Sequence, residues 1–458
     1  MDISSELHRL ADPIEKAVSD FNDHTDVNRL IQSLNRQLAE FVETLITGVI
    51  QRLFDSQEFL IELKAISAKK AFRFHGYRQV RVRVLTGNPI CLRVPYFVKA
   101  SPKNRRRRNF NGQLALQWLG FIDRVSLHLA SVAVQSALLC PSFQIARQTL
   151  SQHGIELGVK AIQRIGRSMG RQAMNHRQRI ALGGTDRVDG RVLLVCLDGG
   201  RLRERKAKGG RPPASPKRRG YHTDWPEPTQ IAIQCFNTDG SQCADFLPIY
   251  DATMGDIDRV FELIESYLRQ LDAATAEHVI FCADGARRYW KRIGPLAKKL
   301  EIAVHFEVID YTHAKQNLIS IIEKLPKTIG ARRISKIAKA WCDLLWKGKL
   351  HEIRHQITQL ITSRKKRKQA LDKFKGYFLN NFHRMQYAGF RYFKVTTGSG
   401  CVESAIRRVI NLRLKSPGIF WKRETAEVML FLRSTLLCGR WRLMLNNLFA
   451  DNRGQFNV

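Results

Sequence analysis

Acidic residues are scarce in this chain. Its 458 residues include 41 Asp plus Glu against 76 Lys plus Arg, a formal charge of +35. A balance so far from zero calls for an anionic partner, either nucleic acid or an acidic membrane surface. Long apolar runs are missing too: no stretch approaches the ~18 residues that span a bilayer, so no membrane partner is expected and nucleic acid remains. The opening MDISSELHRL lacks the charged-then-apolar order of a secretory signal, and the expected location is the cytoplasm, on the nucleoid. Closely spaced cysteine pairs are absent as well. None of the nine Cys stands in a Cys-x-x-Cys pair, which argues against a disulfide framework or a zinc knuckle. Several lie in apolar runs, Cys196 in VLLVCLD and Cys282 in HVIFCAD, where cysteine is a small buried hydrophobe. Hydrophobic residues make up 44%, enough for a globular protein of several domains.

The pattern along the chain changes several times. Ile31, Leu34, Leu38, Phe41 and Leu45 recur at helical spacing and form one apolar stripe, either core-facing or part of a short coiled coil. YRQVRVRVLTGNPICLRVPYFV, from Tyr77, alternates around a Thr-Gly-Asn-Pro turn and reads as a β-hairpin with Arg78, Arg81, Arg83 and Arg93 outward. Arg105, Arg106, Arg107 and Arg108 follow, a solvated linker or a phosphate-tracking run. SFQIARQTLSQHGIELGVKAIQRIGRSMGRQ then reads as helix, turn, helix. Ser142 caps the first helix and Gly154 closes it. Val159, Ile162 and Met169 bury one face of the second, and Lys160, Gln163, Arg164, Arg167 and Arg171 face out. A DNA-reading helix-turn-helix has this look, and so does a plain helical hairpin.

After a Gly-rich joint the pattern turns α/β. Five strands are expected, in VLLVCLDGG, TQIAIQCFNTDG, ADFLPIYDATMG, HVIFCADGA and IAVHFEVID, with helices between the later ones. Asp198 and Asp284 close the first and fourth of these, at the strand ends where open α/β sheets place their sites. The stretch from Arg201 to Arg219 holds nine basic residues and one acidic one. Its glycines and prolines predict an irregular loop that orders on phosphates through Arg201, Arg203 and Arg205. A long helical stretch runs from His313 to about Asn381, including SRKKRK at 363–368.

Transfer of a DNA phosphodiester needs an activated oxygen nucleophile and a neutralised leaving oxygen, and two Mg²⁺ ions held by carboxylates do both. In VESAIRRVI, Glu403 opens a helix whose Val402, Ala405 and Val409 share an apolar face. That puts Glu403 at a packed edge, where an unpaired carboxylate is costly without a cation. Glu424 and Glu427 stand beside Lys422 and Arg423, where a surface ion pair suffices. Asp310 and His313 form an Asp-x-x-His in VIDYTHA. The pair is either a helix cap with its first-turn histidine or, for His313, a contact to the scissile phosphate or a metal-bound water.

LDGGRLRER (197–205), ADGARRYW (283–290), VIDYTHA (308–314), NNFHRMQYAGFR (380–391), GSGCVESA (398–405) and RLKSPGIFWKRETAEVMLFLRSTLLCGRW (413–441) occur in that order. Through these motifs the chain resembles the DDE transposases of bacterial insertion sequences, the ISKra-type group and more distantly Mutator-like enzymes, from about residue 140 onward. The resemblance implies a ribonuclease-H-like α/β core with a helical insertion; the residue patterns before it read as a mostly helical N-terminal DNA-binding region with a β-hairpin. It also implies a catalytic metal triad of Asp198, Asp284 and Glu403, with His313 catalytic and Asp310 auxiliary. Mg²⁺ would be the ion and Mn²⁺ its substitute. Paired cysteines, often found after the β-ribbon in this family, are replaced here by YFVKASPKNRRRR, so no zinc is expected. The expected organisation is a helical region over 1–74, hairpin and basic linker over 75–110 and a helix-turn-helix region over 111–182. The core follows over 190–312, the helical insertion over 313–390, and C-terminal helices carrying the glutamate over 391–458. Double-stranded DNA is the expected partner, both terminal repeats and target, bound by a homodimer or larger assembly. A catalytically silent DNA-binding derivative and a structure-specific nuclease are the alternatives.

Overall fold

The computed structural model describes residues 11–16, 18, 19, 21, 26–69, 72–99, 114–184, 186–210 and 220–453. The chain forms two compact units, Met1–His176 with Arg442–Val458, and Arg177–Trp441. The C-terminal element expected at 391–458 therefore divides between them. Its last residues join the first unit because Phe449 packs where a Cβ on Gly120 would stand 2.8 Å away, and Asp451 meets His176 at 3.0 Å.

In the first unit, helix α1 (Val27–Asp55) starts on Asp26, whose carboxylate accepts the Asn28 N–H. Helix α2 (Gln57–Lys69) leads into strands β1 (Phe72–Val82) and β2 (Ile90–Lys99), an antiparallel hairpin in register Val82↔Ile90. Gly87 in its turn has φ +87°, and a Cβ there would lie 2.7 Å from the Glu156 carbonyl oxygen, so only glycine fits. Phe54, Leu63, Leu92, Val94 and Phe97 form the core, and the buried Glu43 accepts the N–H groups of Leu85 and Thr86 at 2.8 and 3.0 Å. The α1 stripe is only partly core-facing: Ile31 is 50% and Leu38 45% exposed. Arg83 is not outward. It is half-buried and its guanidinium donates to the Gly87 carbonyl. Helices α3 (Leu114–Trp118), α4 (Leu127–Leu139), α5 (Phe143–Gln152) and α6 (Val159–Met174) follow. Ser142 caps α5 by accepting the Ile145 N–H at 3.1 Å, and Gly154, at φ +73°, follows its end. Ile162, Ile165 and Met169 bury one face of α6, leaving Lys160, Arg164, Arg167 and Arg171 exposed on the other. Arg105 to Arg108 lie outside the described residues.

The second unit is built on a mixed five-stranded sheet. Its strands are β3 (Val192–Gly199), β6 (Thr229–Phe236), β7 (Ile249–Thr253), β8 (His278–Ala283) and β9 (His305–Ile309), in the order β7-β6-β3-β8-β9. Strand β3 runs antiparallel to β6 and parallel to β8, and β8 is parallel to β9. Val192 to Leu197 are all buried, the mark of a central strand covered on both faces. Helices α7 (Ile257–Gln270), α8 (Arg287–Lys299) and α9 (Tyr311–Ile322) connect and follow the later strands. The expected irregular loop from Arg201 instead starts as a hairpin: β4 (Glu204–Ala207) pairs with β5 (Tyr221–Asp224), extending the β3–β6 ladder. The helical stretch contains α10 (Ala331–Trp346), α11 (Leu350–Leu360) and α12 (Arg364–Tyr377). Helices α13 (Tyr387–Tyr392), α14 (Gly400–Ile406), α15 (Arg423–Leu437) and α16 (Trp441–Asn452) follow. Among the described residues no helix is long and apolar enough to cross a membrane.

Candidate active site

The parallel register Leu197↔Ala283 puts Asp198 and Asp284 one step beyond the same rung of β3 and β8. Adjacent strands lie ~4.8 Å apart, so the two acids leave the sheet side by side. Asp198 Oδ1 accepts the Gly199 N–H at 2.7 Å, and Asp284 Oδ1 accepts that of Ala286 at 2.9 Å.

Helix α14 brings Glu403 to this edge. Its Val402, Ala405 and the following Val409 are fully buried, so it packs inward through the anticipated face. The packing is close: a Cβ on Gly200, just after β3, would stand 2.5 Å from Ile410 Cδ1. Glu403 itself is exposed, and the expected cost of an enclosed carboxylate does not apply to it. Asp310 is 1% exposed and both its oxygens are engaged. Oδ1 accepts the His313 N–H at 2.8 Å and caps α9, while Oδ2 accepts the Ser399 N–H at 2.5 Å and ties α9 to the start of α14.

His313 stands between these groups. Its Nε2 is enclosed without a hydrogen-bond partner, 4.0 Å from Asp198 Oδ2. Among the described residues, the metal-ligating side chains whose atoms all lie within 4.8 Å of one another are Asp310, His313 and Glu403. Asp198 and Asp284 stand outside that set, and the three anticipated ligands do not converge to this spacing. They are coupled through charge: burial pushes the Asp198 carboxyl above its ordinary value, Asp284 and Glu403 push the same way, and the Gly199 N–H and His313 oppose them.

Two features escaped the sequence. The Tyr377 ring covers Gly285, where a Cβ would stand 2.2 Å from it, and burial followed by the Asp284 charge pushes its hydroxyl pKa up. Nothing in a basic helical stretch singles out that tyrosine. Cys196 and Cys282 occupy one rung beneath the aspartates, each two residues before its acid, a spacing visible in VCLD and FCAD.

The other anticipated DNA contacts lie on other elements. On α6, Lys160, Arg164 and Arg167 share an exposed face, but Arg164 is also paired with Asp123 at 2.9 Å. Arg201 pairs with Glu227 at 2.7 Å, and both are well exposed. Arg203 and Arg205 lie over aromatic rings beside β4 and β5. Glu427 is not a surface acid: it joins the buried Arg177, accepting from the Thr253 hydroxyl and the Met254 N–H, both at 2.7 Å.

No family model and no curated protein matches the chain. Among solved structures it is similar to a Drosophila P element transposase strand transfer complex at 10% identity, with a TM-score of 0.30, over 70% of this chain and 93% of that one. A likeness at that score carries no argument about function.

Proposed function

We propose that this chain is a DNA transposase of the three-carboxylate type, with a ribonuclease-H-like core. In this reading it cleaves phosphodiesters at element ends and transfers the freed 3′-hydroxyls to target DNA. The observation that carries the reading is the placement of the acids: Asp198 and Asp284 leave adjacent parallel strands at one rung, and Glu403 stands on a helix packed against the first. The motifs GSGCVESA and ADGARRYW support the ISKra-type insertion-sequence subgroup within that class.

By type of donor, though not by their present spacing, these residues suit a hard cation. Three carboxylates offer oxygen ligands, and their mutual repulsion at Asp198 is the kind that a divalent ion relieves. Mg²⁺, or Mn²⁺ in its place, would be held by Asp198, Asp284 and Glu403 and would supply an activated oxygen nucleophile and charge neutralisation at the leaving oxygen. The chain's own residues do the positioning. Asp310 locks α9 to α14 through two backbone N–H groups. His313 keeps Nε2 turned toward Asp198, where it can hold a proton near the attacked phosphate. The basic faces neutralise DNA phosphates, and synapsis of two ends calls for at least a homodimer on the nucleoid.

The test is cleavage of duplex DNA carrying the element's terminal repeats. Wild-type protein is expected to cut in Mg²⁺ and to join the product to a second DNA. Asp198→Asn and Glu403→Gln are expected to bind DNA and not cut it. Full cleavage by Glu403→Gln overturns the triad. Cutting of branched DNA without joining points to the nuclease reading instead.

A further inference from the structure

The ladder between β3 and β6 does not stop at the carboxylates. Gly200 N–H bonds the Pro228 carbonyl at 3.0 Å and Leu202 N–H that of Pro226 at 3.3 Å, after which β4 and β5 resume pairing at Glu204↔Asp224. Residue 421 lies alongside, with the Arg205 N–H donating to the Trp421 carbonyl at 2.7 Å. This extension gathers three aromatic rings and two guanidinium groups. Trp225 is 52% and Tyr221 39% exposed. Phe420 meets Tyr221 edge-on, with centroids 5.7 Å apart at 65°. The Arg203 guanidinium stands 5.5 Å from the Trp225 ring centroid and 5.1 Å from that of Phe420, and Arg205 stands 4.2 Å from that of Tyr221.

A single exposed ring on a surface means little. Here three rings and two guanidinium groups lie together, with Trp225, Tyr221 and Arg205 exposed. Arg203 is held in place by donating to the Ser416 carbonyl at 2.7 Å. Position matters as much as composition. Extended chain rises ~3.3 Å per residue, so the cluster begins roughly 16 Å beyond Asp198, within a few nucleotides of the acids. Paired bases keep their faces inside the duplex, whereas unpaired bases stack on aromatic and guanidinium planes whatever their sequence.

We propose that Trp225, Tyr221 and Phe420, with Arg203 and Arg205, form a stacking surface for unpaired DNA bases next to the carboxylate site. The identity of the nucleic acid as DNA rests on the function proposed above; the surface itself rests on the rings and their cations. On this surface the hairpin after Asp198 holds a strand that has left the duplex and keeps it beside the acids.

The test uses the full chain and two probes, a fluorescein-labelled oligothymidylate of about 12 nucleotides and a blunt duplex. Trp225→Ala is expected to weaken oligothymidylate binding roughly 5- to 150-fold, the range for loss of one stacked base, and to leave duplex binding within about twofold. Trp225→Phe, which keeps a ring face, is expected to retain most of the affinity. A 2-aminopurine in an unpaired overhang is expected to be quenched on binding to wild type and not to Trp225→Ala. Equal effects of Trp225→Ala on both probes, or none on either, overturn the proposal, as does an oligouridylate bound as tightly as the oligothymidylate. Metal-dependent cleavage separates the two readings. A protein that never cuts but keeps the Trp225-dependent preference loses the transposase reading and keeps the surface. A protein that cuts while Trp225→Ala leaves single-strand binding unchanged keeps the first and loses the second.

Discussion

At the scale of single residues, Asp198 and Glu427 are both partly buried carboxylates with opposite fates. Asp198 is raised above its ordinary value, first by burial and then by Asp284 and Glu403. Its negative charge therefore costs stability at neutral pH in the absence of a cation. In EDTA, Asp198→Asn is expected to raise Tm, each kcal/mol relieved being worth about 2–4 °C. Mg²⁺ is expected to raise the wild-type Tm and leave the variant's unmoved. Equal shifts in the two proteins, or none in wild type, would remove Asp198 from the metal site. Burial alone would push the Glu427 carboxyl up, but Arg177, the Met254 N–H and the Thr253 hydroxyl together outweigh it, and the carboxyl is held below its ordinary value of 4.5. Asp251, Tyr267 and the Ala252 carbonyl complete the shell around Arg177. A depressed carboxyl contributes stability that is present above its unfolded pKa and lost as pH falls through the folded one. Wild-type protein is therefore expected to lose stability as pH drops below 4.5, and Glu427→Gln to flatten that loss. The variant is also expected to be less stable at neutral pH by about 1–3 kcal/mol. Denaturant titrations at several pH values read both effects, and a variant as stable as wild type at neutral pH would show that Asp251 alone suffices for Arg177.

At the scale of elements, glycines decide how closely helices approach the sheet edge. A methyl group on Gly285 would stand 2.2 Å from the Tyr377 ring, and Gly285→Ala is expected to cost about 1–3 kcal/mol by overpacking. Gly376, one residue before that tyrosine in the same helix, has nothing within 4 Å of where a Cβ would stand, and Gly376→Ala is expected to gain up to about 1 kcal/mol from helix propensity. Thermal unfolding of the pair is the check, and equal Tm values would mean that the ring yields freely. The five strands of the second unit's main sheet were legible as short, mostly apolar runs, three of them closed by an acid, Asp198, Asp284 and Asp310. The first-unit hairpin was legible from its alternation and its Thr-Gly-Asn-Pro turn. Other elements leave no such trace. β4 reads ERKA, charged enough to pass for loop, and forms because it prolongs a ladder already in place. The α1 stripe is visible as a period, but a period does not say what covers it. Arg177 and Glu427 meet across 250 positions, a distance at which a sequence pattern carries no pairing information. At the candidate site, the strand-end aspartates and the inward helix of Glu403 were readable. The enclosure of His313 Nε2 and the double duty of Asp310 came only from tertiary packing.

At the scale of the whole molecule, the charge of +35 predicts how DNA binding responds to salt. Each phosphate neutralised releases condensed counterions, so log K falls with log salt by about 0.9 per contact. Roughly six contacts would lower affinity for nonspecific duplex by about 10³ between 50 and 200 mM salt, and a nearly flat response would show that the charge is not directed at DNA. The contribution of α6 can be isolated within that slope. Lys160, Arg164 and Arg167 are exposed along one face, so replacing all three with Ala leaves the buried face of Ile162, Ile165 and Met169 intact. Three free cations would take about 2.7 from the slope. Arg164 already has Asp123 at 2.9 Å, and breaking an exposed pair to reach a phosphate returns little net energy. The triple variant is therefore expected to lose closer to about 1.8, while Arg164→Ala alone moves the slope least of the three single changes. Fluorescence anisotropy over a salt series measures each slope directly. A triple variant with the wild-type slope would place the α6 face away from the phosphates and leave it as one side of a helical hairpin.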